Sequence, residues 1–165
     1  MEALHAPWRI QYILGPKQSS GDGRSIFTAI AQSGDDVANY VIARARTSYA
    51  VLNSFPYNAG HVLVCPYRQV ADLPDLTDEE ALEMQQLLRR VQAAIRKVMR
   101  PDGFNIGLNL GKVAGAGIVE HLHWHIVPRW FGDTNFMPVT GSTAVLPEAL
   151  ADTAAKLRAA LAENV

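Results

Sequence analysis

Cysteine is almost missing from this chain. Cys65 stands alone, so no internal disulfide framework can staple the fold. A single thiol also fits a reducing compartment, and a cytoplasmic location is expected. An excess of either charge is missing too. Lysine and arginine number 15 against 16 aspartates and glutamates, a net charge of -1. A general nucleic-acid binder needs a basic face to neutralise phosphates, so that class is excluded; a small anionic ligand needs only a few local donors. No apolar run reaches the ~18 residues that suggest a membrane helix. The start, MEALHAPWRI, lacks a basic segment followed by an apolar one, so no signal peptide is expected.

What remains is an ordinary globular composition, 48% hydrophobic and 19% charged, at a length of 165 residues that suits one domain. Residues 1–37 read as an N-terminal extension containing a flexible loop, GPKQSSGDGR (15–24), and a short apolar helix near SIFTAIA (25–31). Residues 38–165 read as the domain proper. YVIARARTSYAVLNSF predicts two strands with a turn near Arg46 and Thr47, PYNAG a loop, and HVLVCPY a strand closed by Pro66.

Thr77 and Glu80 then form a capping box ahead of Met84, Leu87, Leu88, Val91, Ile95 and Val98, an amphipathic helix stopped by Pro101. GFNIGLNL (103–110) alternates as a strand, GKVAGAG (111–117) is a glycine-rich loop, and IVEHLHWHIVP is a further strand. A last helix starts near Pro147 and carries Leu150, Leu157 and Leu161 on one face. Strands joined mostly by tight turns, plus two main helices, predict an α+β fold on an antiparallel sheet.

Three of the chain's five histidines fall in EHLHWHIVPRW: His121, His123 and His125. Alternate strand residues share a face, so the three imidazoles line up on one side while Leu122, Trp124 and Ile126 enter the core. Neutral imidazoles in that array can hold a metal such as zinc. They can equally serve nucleophilic catalysis at phosphorus, where one attacks and its neighbours orient it and stabilise charge. The preceding loop favours the second reading, because Gly111, Gly115, Ala116 and Gly117 can offer backbone N–H groups as an anion nest. The loop is not a P-loop, since the G-x-x-x-x-G-K-[ST] order is absent.

HLHWHIV resembles the His-φ-His-φ-His-φ-φ signature of the histidine triad (HIT) family of nucleotide hydrolases and transferases. VLNSFPYNAGHVLVCPYR (51–68) is similar to the nucleotide-binding hairpin of its fragile-histidine-triad branch. GFNIGLNLG and PRWFGDTNF resemble bacterial diadenosine polyphosphate hydrolases and phosphorylases. The similarity spans residues 38–165 and, more weakly, APWR at 6–9.

The resemblance implies a five-stranded antiparallel sheet, a two-fold homodimer, and a nucleotide as substrate, with no cofactor beyond a divalent cation that can accompany that substrate. His123 would attack the α-phosphorus, His125 would contact the phosphate and bridging oxygens, and His121 would fix the nucleophile's tautomer. His61 would support the triad from the neighbouring strand, Asn53 would bind the ribose, and Asn109 the phosphate or ribose. Gly115, Ala116 and Gly117 would line the phosphate. A triad imidazole would titrate near its ordinary ~6.5.

Two departures stand out. Many bacterial members hold a structural zinc with a C-x-x-C near the start and a histidine after the hairpin. Here those places carry Ser25, Thr28 and Gln69, so no metal is expected and hydrogen bonds and packing should take its place. Four residues before the triad, where many members carry glutamine or serine, stands Gly117, which leaves the choice between water and phosphate as acceptor open. A phosphoramidase, a nucleotide sensor with little turnover and a metal-dependent enzyme remain as alternative functions.

Overall fold

The computed structural model describes residues 23–133 and 148–163. Most of the loop expected over 15–24, the APWR segment, Pro147 and the end of PRWFGDTNF lie outside the described residues. The elements in chain order are α1 (Ile26–Ser33), β1 (Val41–Arg44), β2 (Ser48–Leu52), β3 (Val62–Pro66), α2 (Asp78–Met99), β4 (Gly103–Leu108), β5 (Trp124–Arg129) and α3 (Leu150–Ala162). One-turn 3-10 helices interrupt the loops at Leu73–Asp75 and Lys112–Ala114.

All pairings in the sheet are antiparallel, in the order β1-β2-β3-β5-β4. The expected five-stranded α+β fold is present, with the short α1 added to the two main helices. Both faces of the central strands are covered, which is why β2 and β3 are buried along their whole length instead of alternating with polar residues. On one face α2 and α3 bury Met84, Leu87, Val91, Ile95, Leu157 and Leu161 against the sheet. On the other, Phe27 of α1 packs with Tyr49, Val51, Leu63 and Cys65. Residues 25–33 precede the expected domain start at 38, yet they help build this second layer.

Helix α2 starts and stops where its sequence directs. Thr77 accepts from the Glu80 N–H while the Glu80 carboxylate takes the Thr77 N–H, so two otherwise orphaned donors are satisfied. Arg100 closes the helix in the left-handed conformation at φ 49°, and Pro101 prevents its continuation. Among the described residues no helix is long and apolar enough to cross a membrane.

Glu83, one turn into α2, clamps the β1–β2 turn. Its carboxylate accepts from the backbone N–H groups of Arg46 and Thr47 and from the hydroxyls of Thr47 and Ser48, at 2.6–3.0 Å. Burial alone would raise its pKa, but the four donors together hold it below the ordinary carboxylate value. Such a depressed group stabilises the fold above its unfolded pKa and stops doing so as pH falls through its folded one. Glu83→Ala should therefore cost about 1–3 kcal/mol at neutral pH. The penalty should shrink steadily below pH ~4.5, as measured by urea unfolding across pH.

Candidate active site

Strand β5 begins at Trp124, later than the sequence alternation predicts, and of the three triad histidines only His125 is a strand residue. The cause lies in β3. Its pairing with β5 covers Val62↔Ile126 to Val64↔Trp124 and goes no further. Beyond that point the Pro66 carbonyl is taken by the His121 side chain, and Leu122 N–H donates to Val70 O at 2.7 Å. The facial alternation survives this change. Leu122 and Ile126 are 3% and 0% exposed in the helix-side core with Trp124 packed against it, while His121 and His123 contact Phe27 of α1 on the opposite face.

Hydrogen-bond partners assign the protons of each ring. Nε2 of His121 lies 2.9 Å from the Pro66 carbonyl, which can only accept, so Nε2 carries the proton. Its Nδ1 is then an acceptor, 2.5 Å from the Ser25 hydroxyl. Nδ1 of His123 donates to the backbone carbonyl of His121 at 2.8 Å, which leaves the lone pair of His123 on Nε2.

His61 accepts at Nδ1 from the Tyr57 N–H at 3.1 Å, with the Asn53 amide nitrogen 3.3 Å away. Its Nε2–H therefore points to Nδ1 of His125 at 3.0 Å, and His125 in turn bears its proton on Nε2. The four rings thus alternate donor and acceptor in one consistent pattern. They present a nucleophilic nitrogen on His123 and a donor N–H on the adjacent His125, with ring centroids 4.9 Å apart.

Two of the triad rings are buried. His121 is fully buried and His123 is 7% exposed. Phe27 lies over both, at centroid distances of 5.5 and 4.8 Å. Burial, the largest influence, pushes both pKa values below the ordinary 6.5; the carbonyl bonds to Pro66 and His121 and the nearby Glu120 pull the other way without overcoming it. The value near 6.5 expected from sequence is therefore corrected downward.

Beside His125 opens a cavity of about 480 Å3, lined by Tyr57, Asn58, Asn105, Gly107, Asn109 and Arg129 among others. This is within the usual range for a small-molecule site. Gly107 pairs directly with His125 across β4–β5, and a Cβ there would meet nothing within 4 Å, so the missing side chain opens space beside the ring. Asn109 also lines the cavity.

Asn53 is not among the residues lining this cavity; its amide oxygen accepts from the Phe55 N–H and its nitrogen faces Nδ1 of His61 at 3.3 Å. In the glycine-rich loop, the N–H groups of Gly115 and Ala116 close the turn onto the carbonyls of Lys112 and Gly111. A phosphate using those two donors would compete with the loop's own bonds, whereas Gly117 N–H is not used in this closure.

Sequence reasoning passed over Tyr57 and Phe27. Tyr57 stacks on His61 at 4.7 Å and supplies its backbone donor; its position four residues before a histidine in a tight loop was the available signal. Nothing local in the sequence connects Phe27 to residues about a hundred positions later.

A sheet of this order carrying a row of buried, tautomer-locked imidazoles defines a histidine triad protein. Residues 36–132 match the HIT domain, and the chain belongs to that family. It is 44% identical over 158 residues to the AP-4-A phosphorylase of Mycobacterium tuberculosis, covering 93% of this chain and 80% of the relative. The asymmetrical bis(5'-nucleosyl)-tetraphosphatase of Schizosaccharomyces pombe is 42% identical over 93 residues, 56% of this chain and 50% of that one. Among solved structures, a zinc-bound histidine triad protein from Mycobacterium smegmatis superposes with a TM-score of 0.67 at 30% identity, over 84% of this chain and 94% of the other.

Because burial dominates, the C2–H resonances of His121 and His123 should titrate with midpoints below 6.5 in an NMR pH series on the folded protein. Midpoints at or above that value would contradict the desolvated site.

Proposed function

We propose that this protein cleaves dinucleoside polyphosphates by nucleotidyl transfer through His123, with diadenosine tetraphosphate as substrate and inorganic phosphate as acceptor. The observation that carries the proposal is the bond from His123 Nδ1–H to the His121 carbonyl, which leaves an unprotonated Nε2 in a buried site. That nitrogen attacks the α-phosphorus, forming a P–N bond as the P–O bond to the departing adenosine triphosphate breaks. His125 Nε2–H donates to the phosphate and bridging oxygens as negative charge builds on them, and His61 holds that proton in place through Nδ1 of His125. Phosphate oxygen then attacks the nucleotidyl-imidazole, restoring the lone pair of His123 and releasing adenosine diphosphate. Asn109 fits a phosphate or ribose contact from the cavity wall.

Phosphate is favoured over water by the similarity to the mycobacterial phosphorylase, which extends over nearly the whole chain. Hydrolysis is the second reading, favoured by the fission-yeast tetraphosphatase. The buried, single Cys65 agrees with a cytoplasmic location. A two-fold homodimer is supported by β4 forming one edge of the sheet, with Ile106 43% exposed on it.

Ion-exchange chromatography of reactions with and without phosphate decides the acceptor. Adenosine diphosphate plus triphosphate, formed only with phosphate, is expected; adenosine monophosphate plus triphosphate without it would mean hydrolysis. His123→Ala should lose activity on the order of 1000-fold while retaining substrate binding. Retention of more than ~10% of wild-type turnover would remove His123 from the nucleophile's place.

A further inference from the structure

Ser25, Thr28 and Gln69 meet His121 in one hydrogen-bonded cluster, with Ser25 and His121 fully buried and Gln69 at the surface, although they come from the start of α1, the loop after β3 and the triad segment. Zinc favours thiolate, imidazole and carboxylate ligands. Two hydroxyls, an amide and one imidazole whose Nδ1 already accepts a hydrogen bond do not fit it. Among the described residues no three His, Cys, Asp or Glu side chains are grouped to hold a metal ion.

The cluster accounts for its own protons instead. Gln69 Oε1 accepts from the Ser25 N–H at 2.8 Å and from the Thr28 hydroxyl at 3.2 Å, which fills both of its lone pairs. The Ser25 oxygen accepts from the Thr28 N–H at 3.1 Å, capping α1. The one proton of the Ser25 hydroxyl has two acceptors in reach, Thr28 Oγ1 at 3.1 Å and Nδ1 of His121 at 2.5 Å, and the shorter contact assigns it to His121.

We infer that Ser25 is a positioning residue for the nucleophile: its hydroxyl locks the ring of His121, and the carbonyl of His121 in turn holds His123 by Nδ1–H. The ring of His121 is gripped from both sides, by Ser25 on Nδ1 and by the Pro66 carbonyl on Nε2. With both nitrogens engaged, the ring cannot rotate without breaking a buried hydrogen bond, and this anchor restrains the residue whose backbone carbonyl holds His123. That carbonyl is the partner that keeps the lone pair of His123 on Nε2. Phe27, two residues after Ser25, lies on the same two imidazoles, so α1 acts as a clamp over the site. Hydrogen bonds thereby supply the rigidity that a bound metal could give.

This inference rests on His123 as nucleophile for its kinetic consequence, but not for its structural one. In the resting protein without substrate, NMR of 15N-labelled imidazoles should find the His121 proton on Nε2 and the His123 proton on Nδ1. A His121 proton on Nδ1 overturns the inference whether or not the protein turns over diadenosine tetraphosphate.

Kinetics supplies the second arm. Glycine is an acceptable N-cap, so Ser25→Gly removes the hydroxyl while nearly preserving the start of the helix. It should lower kcat about 10- to 100-fold, the range found when a metal-ligating histidine loses the partner that orients it, with KM changed less than ~3-fold. Ser25→Thr restores the hydroxyl and should recover most of that kcat. A Ser25→Gly protein with wild-type kcat, or one that loses only KM, overturns the clamp.

Discussion

The hydrogen bond from His123 Nδ1 to the backbone carbonyl of His121 is the constraint on which the rest of the site depends. A neutral imidazole has one proton and two nitrogens, and a proton held on Nδ1 leaves the lone pair on Nε2, the nitrogen proposed to attack. A backbone carbonyl cannot donate, so it admits a single tautomer. Burial strengthens the effect: in a dry environment the bond is worth more than in water, and protonating the free nitrogen is penalised. The same burial that makes His123 expensive to charge keeps its imidazole neutral at neutral pH, as the proposed nucleophile requires.

The fold builds that bond from distant parts. Placing β5 between β3 and β4 puts His125 opposite Leu63 on one side and Gly107 on the other, so a ring sits between a packed wall and an open cavity. The β3–β5 ladder ends before Pro66, whose carbonyl is then used by the His121 side chain. Helices α2 and α3 supply most of the apolar burial on one face, which leaves the other face to α1 and the histidines. Arg158 of α3 adds a tie across the layers by donating to the carbonyls of Val41 and Asp36 at 2.7 Å.

Much of this was legible in the chain, and the exceptions share a cause. The capping box at Thr77 and Glu80, the stop at Pro101 and the two-faced alternation from Leu122 to Ile126 are local signals, and each matches the structure. The point where a strand stops pairing depends on its neighbour, so the start of β5 at Trp124 could not be read from IVEHLHWHIVP alone. Three glycines in the 111–117 loop suggest free N–H groups, but two of the donors, on Gly115 and Ala116, close the turn. Ser25 was noticed for what it is not, a zinc-ligating cysteine. Its contact with His121 spans 96 residues and has no local signature.

The central claim is that Nε2 of His123 becomes covalently bonded to the α-phosphorus during turnover. Rapid mixing with diadenosine tetraphosphate in the absence of phosphate, quenching in base to preserve the acid-labile phosphoramidate, and peptide mass spectrometry would test it most directly. The account predicts one adenylyl group on the peptide containing His121, His123 and His125, with fragmentation placing it on His123. An adenylyl group on His121, His125 or any other residue, or turnover with no protein-bound nucleotide at any time point, would contradict it.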